Sequence, residues 1–421
     1  MISQHKEIVM VQKLLLLLLL VPYSFALSLD EALEASLKNH PDIALARLQV
    51  DALQRDELAS GSLLLPQVGL RVSYDPVMTY ALPVNGAFNT KEEKSFITTL
   101  SLDQKIYDFG ASLDQKRAAG VAKEMSSLNL EDAKNTLTYR TKVLYKQIVI
   151  TKELLNIKQK DLDLKQIYYD EALKKEQEGL RTKADTSRLY VALMDAKEAL
   201  ATTAGTLDHL IYKLGLFMGR DLVKDTHFDS GVIYDQEELK RSSVDELLLS
   251  TKMQLEQKNI EKSELLYSSN RSSHFGSLDF HASYSHLDTL NSYDATVVGV
   301  GYSLPIYTGG KIDAYTQKAK IEAKMAREQK ESRLLELQEA LDGLFVDLHR
   351  LSFSIETKKS SIDASRDALS VMEGRYRAGL SSYVELLDAS NTLLASQVGL
   401  LEAYYEKSIR VDEIKLLEAK R

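Results

Sequence analysis

The sequence of 421 residues contains no cysteine, which excludes disulfides, thiolate metal sites and cysteine nucleophiles; we also expect no lipid anchor on an N-terminal cysteine. Acidic residues outnumber basic ones by 61 to 53, which argues against a nucleic-acid partner because such proteins present basic surfaces. No catalytic-triad pattern, phosphate loop, His-Glu-x-x-His motif or dinucleotide-binding glycine pattern occurs. We therefore expect neither an enzyme nor a bound cofactor or metal.

Proline is scarce, with six in the chain and none between Gly310 and Gly379. In that stretch apolar side chains recur every seven residues, with a second row three residues further on, which is typical of a coiled coil. The first row is Leu334, Leu341, Leu348, Ile355, Ile362, Leu369 and Tyr376, and the second is Leu337, Leu344 and Leu351. At a rise of 1.5 Å per residue, this stretch predicts a helix about 104 Å long.

The same pattern occurs twice in the chain, at a separation of 200 residues. The apolar run and turn at 106–110 are matched at 306–310, and Gly179-Leu180 is matched by Gly379-Leu380. The first stretch also has a seven-residue row, formed by Ile148, Leu155, Leu162 and Tyr169. We interpret the chain as an internal duplication. The repeats are expected at 27–215 and 244–421, with an irregular equatorial segment at 216–243.

Residues 1–26 have the features of a secretory signal peptide. Lys13 precedes an apolar core at 14–21, and Ser24-Phe25-Ala26 places small residues where a signal peptidase reads, so we expect cleavage after Ala26. The core is too short to cross a bilayer as a helix. Either Met1 or Met10 can be the start, because residues 10–13 already form a basic leader.

Each repeat is expected to contain a helix, a β-hairpin and a long helical hairpin. Besides the two long helices at 110–179 and 310–379, shorter helices are predicted at 29–60, 185–214, 244–267 and 382–417, the first of them interrupted at His40-Pro41. Alternation of apolar and polar residues predicts strands at 68–75, 96–106, 278–284 and 298–304. A turn-rich loop is expected at 76–93, between the first two strands.

Four strands cannot close a membrane barrel, because about eight are the usual minimum, and an open sheet edge is not tolerated in lipid. Subunits must therefore share strands, and two chains would supply eight whereas three would supply twelve. The polar second face of the strands suits a water-filled lumen. The sequence has no tryptophan, but its 21 tyrosines can form the aromatic girdle at the membrane surface. With 27% charged residues and a mean hydropathy of −0.22, the helices are expected in water rather than in the bilayer.

Several segments together form a more specific pattern. They are Ser28–Leu33 through Asn39-His40-Pro41, Leu65–Val68, the strand-to-helix turns at 106–110 and 304–310, and Tyr376–Ser382 followed by Glu385–Ala389. This combination, which covers nearly the whole chain after residue 26, resembles the TolC family of outer-membrane efflux proteins.

The resemblance implies an α+β, mainly α, fold and a homotrimer. A twelve-stranded outer-membrane β-barrel, with four strands from each subunit, would stand on a long periplasmic α-helical barrel. It implies an exit duct for a tripartite efflux or type I secretion system, a passive conduit opened at its periplasmic tip. The expected partners are a periplasmic adaptor protein, an inner-membrane pump of the RND, ABC or MFS type, and outer-membrane lipid. The substrate, whether drug, metal ion or protein, stays open because specificity lies mainly in the pump.

Gly179-Leu180 and Gly379-Leu380 mark the turns of the two helical hairpins. The local interpretation is a glycine that caps the helix C-terminus, followed by a leucine staple. The resemblance adds contact with the adaptor, since an exposed leucine on a tight loop can dock a partner.

Glu385 and Asp388 lie three residues apart on one helical face. By resemblance they match an acidic ring that narrows the closed periplasmic mouth of the channel and favours cations. Glu385 also has capping-box spacing from Ser382, as Asp185 has from Thr182.

The resemblance also places Asp185 and Tyr376 at positions that tie neighbouring tip helices together in the closed state. Ser381 stands where some family members carry an arginine that pairs with the acid of the first tip. We therefore expect a hydrogen-bonded latch in place of a salt bridge.

Two alternatives stay open at this point. His274, His281 and His286 cluster at the third predicted strand, where metal capture competes with the simpler interpretation of ordinary polar lumen or loop residues. The whole chain can also be interpreted as a secreted coiled-coil protein, structural or adhesive, without channel activity. The two alternating hairpins at equal offsets weigh against that interpretation.

Overall fold

The computed structural model describes residues 27–223, 226–234 and 239–419, so the predicted signal peptide at 1–26 lies outside it. The chain forms two compact units. The first unit contains the described parts of 1–41, 134–241 and 340–417, and the second contains those of 42–133, 242–339 and 418–421. None of the helices in the described ranges combines the length and apolar character needed to cross a bilayer.

Helices dominate the described chain, and the strands form one antiparallel sheet in the order β1-β2-β3-β4. The helices are α1 (Leu29–Asn39), α2 (Pro41–Ser62), α3 (Ala111–Gln177), α4 (Lys183–Met218), α5 (Gly231–Tyr234), α6 (Val244–Leu248), α7 (Thr251–Ser272), α8 (Lys311–Arg377) and α9 (Tyr383–Leu417). The strands are β1 (Gln67–Val84), β2 (Ala87–Tyr107), β3 (Ser277–Asp288) and β4 (Ser292–Ser303). The two long helices, α3 and α8, each contain 67 residues.

The helix interruption predicted at His40-Pro41 is present. α1 ends at Asn39, His40 is extended, and α2 begins at Pro41. Proline suits a first helical position because the N–H that it lacks would have no partner within the helix. At the start of α1, the Ser28 hydroxyl accepts a hydrogen bond from the Glu31 N–H at 3.1 Å.

Two helix boundaries differ from the prediction. The single helix predicted at 244–267 is wrong, because α6 ends at Leu248 and α7 begins at Thr251. Ser250 caps the second helix through its hydroxyl, which competes with continuation of the first. α4 extends beyond 215 to Met218, where Gly219 adopts a left-handed conformation with φ 68° and ends the helix.

The first hairpin is longer and tighter than predicted, and the loop expected at 76–93 is wrong. β1 and β2 are joined by Asn85-Gly86 with φ values of 51° and 85°, the left-handed pair that a type I′ turn needs. Pro76 falls at a register shift between Asp75 and Met78, and Pro83 lies on an edge strand. Bulges and edge strands are among the few places where a sheet tolerates proline.

The sheet has one apolar and one polar face, as the alternation predicted. One apolar row crosses all four strands in register and consists of Val68, Leu102, Ala282 and Val298. On the opposite face, the Thr99 hydroxyl lies 2.9 Å from that of Ser285. Such a sheet can face lipid on one side and water on the other.

The core of the first unit is centred on Tyr145, which is fully buried. Its hydroxyl donates to the Leu27 carbonyl at 2.6 Å and accepts from the Asp229 N–H at 2.9 Å. These two bonds fix residues 27 and 229 to α3.

A buried ion pair lies in the same unit and joins α3 to α9. Lys146 Nζ is 2.5 Å from Asp412 Oδ2 and also donates to the Ser408 carbonyl at 3.2 Å. Burial lowers the pKa of Lys146, although the Asp412 carboxylate acts in the opposite direction. Lys142 Nζ also lies 3.4 Å from Asp412 Oδ1, so removing Asp412 would leave the buried Lys146 charge uncompensated, which is strongly destabilising.

In the second unit, Gly276 connects the helical segment that ends at Phe275 to β3. Its φ is 77°, and a Cβ at this position would overlap the carbonyl oxygen of Ser303, which is backbone. Neither the conformation nor the close approach is open to a residue with a side chain.

We therefore expect Gly276→Ala to lower the urea midpoint of the purified protein in detergent far more than Gly301→Ala does. Gly301 is the matched control, because a Cβ there would meet nothing within 4 Å. Far-UV circular dichroism during urea unfolding measures both. Equal midpoints for the two variants would contradict the steric role of Gly276.

Candidate functional site

The first unit contains two helix-turn-helix tips. Tip 1 comprises residues 178–182, between α3 and α4, and tip 2 comprises 378–382, between α8 and α9. Gly179 and Gly379 have φ values of 73° and 75°. The following leucines, Leu180 and Leu380, each donate a backbone hydrogen bond of 2.8 Å to the carbonyl five residues earlier. Both turns are Schellman motifs, so the predicted glycine caps are present.

The leucines of the two tips project into solvent. Leu180 is 69% exposed and Leu380 is 71% exposed. The predicted packing of these leucines against their own helices is therefore slight, and each tip presents an apolar side chain at its end. Contact with an adaptor at these residues stays a prediction.

Both predicted capping boxes are formed. The Asp185 N–H donates to the Thr182 hydroxyl and the Thr182 N–H to the Asp185 carboxylate, each at 3.3 Å. In tip 2 the Ser382 N–H donates to Glu385 Oε2 at 2.9 Å, and the Glu385 N–H donates to the Ser382 hydroxyl at 3.3 Å. The carboxylates of Asp185 and Glu385 are thus engaged at helix N-termini.

Asp388 differs from Glu385 in this respect. Asp388 is exposed, and within the described residues its carboxylate takes part in no hydrogen bond or ion pair. Of the two residues predicted to form the acidic ring at the channel mouth, Asp388 is therefore the one whose carboxylate does not stabilise the local fold.

Tyr376 makes no hydrogen bond to Asp185 within the described residues of the single chain, and the expected latch between neighbouring tip helices stays a prediction. Tyr376 is 1% exposed, and its hydroxyl has no hydrogen-bond partner among the described residues. Burial raises the pKa of Tyr376, and the nearby guanidinium of Arg181 offsets only part of the effect. The Asp185 carboxylate accepts a hydrogen bond from the Thr182 N–H at the start of its own helix.

Instead, the tips are joined by contacts that the sequence analysis missed. The guanidinium of Arg181 lies 4.9 Å from the centre of the Tyr376 ring and donates to the Ser381 carbonyl at 3.3 Å. Arg188 donates to the Tyr383 hydroxyl at 2.6 Å. The sequence does contain a signal for these contacts, because the two arginines are seven residues apart and so are the two tyrosines.

An apolar cluster lies behind these contacts and positions the aromatic rings. It consists of Tyr168, Ala172, Leu189, Leu369, Tyr376 and Leu386. The Tyr168 hydroxyl donates to Glu373 Oε1 at 2.8 Å, which links α3 to α8 near the tips. Burial, followed by this hydrogen bond, raises the pKa of Tyr168 well above its ordinary value.

The three histidines predicted near the third strand have separate partners. His281 Nδ1 lies 2.6 Å from Asp103 Oδ1, and His286 Nδ1 lies 2.8 Å from Asp294 Oδ1. His274 Nε2 lies 3.2 Å from the Thr316 hydroxyl. Within the described ranges, no group of three or more His, Cys, Asp or Glu side chains is placed to hold a metal ion.

Long helical hairpins with exposed tips and a two-faced, four-stranded sheet are the elements of an outer-membrane channel protein. The family model of the outer membrane efflux protein matches residues 32–210 and 244–417. The chain therefore belongs to the outer membrane efflux protein family, whose members are channels and not enzymes. The family resemblance seen in the sequence is confirmed, as is the mainly helical fold with four strands in each chain.

Individual relatives cover most of the chain. It is 24% identical to outer membrane protein TolC of Escherichia coli K12 over 412 residues, 91% of this chain and 80% of TolC. It is 21% identical to the proteases secretion protein PrtF of Dickeya chrysanthemi over 402 residues, 90% of this chain and 85% of PrtF. The structure of the Campylobacter jejuni CmeC outer membrane channel has a TM-score of 0.81 at 17% identity, covering 93% of this chain and 85% of CmeC.

Tyr168→Phe removes the hydrogen bond to Glu373, and we expect it to lower the free energy of unfolding by about 1.5–3 kcal/mol below pH 10. The folded-state pKa of Tyr168 lies above its unfolded value of 10.0. The contribution is therefore complete below that pH and is lost as the pH rises above it. Urea unfolding of both proteins at neutral and alkaline pH measures the difference.

Tyr169→Phe is the matched control for this measurement. The Tyr169 ring packs on Tyr190 with centres 5.3 Å apart, but its hydroxyl makes no hydrogen bond in the described part of the chain. A loss of the same size in both variants, or a difference that does not change with pH, would contradict the assignment.

Proposed function

We propose that this chain is one subunit of a homotrimeric outer-membrane exit duct, a passive conduit for a tripartite efflux or type I secretion system. The family match over both halves of the chain is the observation that carries this function. The outer membrane is the corresponding location. Cleavage after Ala26, with no lipid anchor, stays part of the proposal.

The free edges of the sheet support sharing of strands between chains. β1 and β4 are the outer strands, and each pairs on one side only. In a bilayer an unpaired edge is costly, so β4 of one chain is expected to pair with β1 of the next. Three chains supply twelve strands, and outer-membrane lipid contacts the apolar face.

Uncovered apolar stripes on the helices of the first unit also support a trimer. On α8, Val346, Phe353 and Val371 are 69%, 72% and 58% exposed, and at 100° per residue they fall within about 20° of one another. On α4, Tyr190, Met194 and Tyr212 form a similar exposed stripe, which falls within about 40°. A second copy of the chain is the partner that would cover both.

The two tips are the proposed contact with the periplasmic adaptor, which connects the duct to an inner-membrane pump of the RND, ABC or MFS type. The supporting observation is that Leu180 and Leu380 are exposed beside the left-handed glycines Gly179 and Gly379. The substrate follows from the pump. The name of the relative PrtF refers to protease secretion, so protein export stands beside efflux of small solutes.

We place the periplasmic gate at the tips, with Glu385, Asp388, Asp185 and Tyr376 as its residues. Threefold symmetry would bring three copies of each acid to the mouth. The Glu385 carboxylate caps α9, whereas that of Asp388 makes no hydrogen bond or ion pair within the described residues and is therefore the one more available to ions.

The alternative of a secreted coiled-coil protein without channel activity is disfavoured. The family match covers both hairpin-containing halves, and the sheet has the two-faced character of a membrane wall.

Reconstitution of the purified protein in a planar lipid bilayer tests the proposed function. We expect discrete conductance steps and, in detergent, a mass of three chains. A single water-soluble subunit without conductance would contradict the proposal.

In the same bilayer we expect Asp388→Asn to weaken block by a trivalent cation such as La³⁺ about tenfold, the equivalent of about 1.4 kcal/mol. The negative ring attracts blocking cations through its charge. The variant should therefore also raise conductance, because fewer cations would be held at the mouth. Glu385→Gln, which keeps the spacing of the capping box, should have a smaller effect. Equal block of the wild-type protein and Asp388→Asn would exclude Asp388 from the mouth.

A further inference from the structure

Two arginine–tyrosine contacts connect the tips within one chain. The first places the Arg181 guanidinium 4.9 Å from the Tyr376 ring centre, and the second places that of Arg188 5.8 Å from the Tyr383 ring centre with a hydrogen bond of 2.6 Å to its hydroxyl. Tyr376 lies at the end of α8 and Tyr383 at the start of α9. The arginines therefore hold both helices of tip 2.

The interaction of Tyr376 uses the face of its ring. The ring is buried, its hydroxyl has no partner among the described residues, and Lys175 Nζ also lies 4.9 Å from the ring centre. A cation over an aromatic face is attracted by the ring quadrupole, and the attraction grows when water is excluded. Two cations share this ring, so its aromatic character matters more than its hydroxyl.

The backbone contact of Arg181 adds direction to this attraction. Its guanidinium donates to the carbonyl of Ser381, a buried residue of tip 2, at 3.3 Å. A guanidinium presents several donors in one plane, so it can stack on the ring and bond the carbonyl at once. Any movement of tip 2 away from tip 1 breaks both interactions.

We propose that Arg181 and Arg188 are positioning residues of the periplasmic gate, which clamp tip 2 to tip 1 of the same subunit through the Tyr376 and Tyr383 rings. This inference rests on the proposed channel function, because it makes these two arginines responsible for keeping the periplasmic mouth of the channel closed. The clamp lies within one chain and does not use the Tyr376 hydroxyl. It is therefore distinct from a latch in which that hydroxyl bonds an acid.

The first test compares single-channel conductance of the wild-type protein with that of the double variant Arg181→Met/Arg188→Met. We expect conductance or open probability to rise about threefold or more, which corresponds to the loss of one exposed cation–π contact or more. Lys183→Met is the matched control, because Lys183 is exposed in the same region and lies over no aromatic ring of the described residues. Arg181→Lys in the Arg188→Met background should restore part of the closed state.

The second test separates the ring from its hydroxyl. Tyr376→Phe keeps the ring and should raise conductance far less than Tyr376→Leu, which should open the channel as the arginine variants do. Thermal unfolding in detergent checks that each variant still assembles. Opening by Tyr376→Phe as great as that by Tyr376→Leu, or unchanged conductance in the arginine double variant, would overturn the clamp.

A third measurement does not depend on conductance. Because the sequence has no cysteine, Leu180→Cys/Leu380→Cys can carry two spin labels at known positions. In chains diluted with unlabelled protein, the distance between the labels should broaden when Arg181 and Arg188 are replaced. A wild-type protein without conductance would count against the channel alone, whereas an unchanged distance distribution would count against the clamp.

Discussion

The constraint on which the rest depends is that backbone N–H and C=O groups cannot remain unpaired in lipid. One chain supplies four strands in the order β1-β2-β3-β4, so in the proposed duct its two outer strands would pair with strands of other chains. Strands shared in this way would bring several copies of the same helices together. In that assembly the exposed apolar stripes on α4 and α8 would be covered by neighbouring chains. In a single chain the same stripes leave apolar surface in contact with water, which is unfavourable.

The long-range periodicity of the sequence predicted the helices well, because a seven-residue repeat over many turns has few competing interpretations. Leu341 and Ile355 of the predicted row are buried in the structure. Single residues that usually indicate a loop, such as proline, were less reliable predictors within the sheet. Pro76 and Pro83 suggested a loop, but a bulge and an edge strand accommodate them inside β1.

In the candidate site, too, contacts between residues close in sequence were predictable and contacts between distant residues were not. The capping boxes at Thr182 and Ser382 were predictable because they join residues three apart in one segment. The contacts of Arg181 with Tyr376 and of Arg188 with Tyr383 join residues 195 apart, and one sequence without a structure gives no means of pairing them. For the same reason the burial of the Tyr376 hydroxyl without a hydrogen-bond partner among the described residues emerged only from the three-dimensional arrangement.

The first hairpin extends beyond the second, because pairing between β2 and β3 ends at Phe96 and Asp288. The part of β1 and β2 from about Asp75 to Ser95 is thus a two-stranded ribbon without a third strand. Such a ribbon depends on its turn and its own cross-strand pairs for order. An insertion at Asn85-Gly86 would consequently loosen this ribbon and leave the pairing of the four-stranded part of the sheet in place.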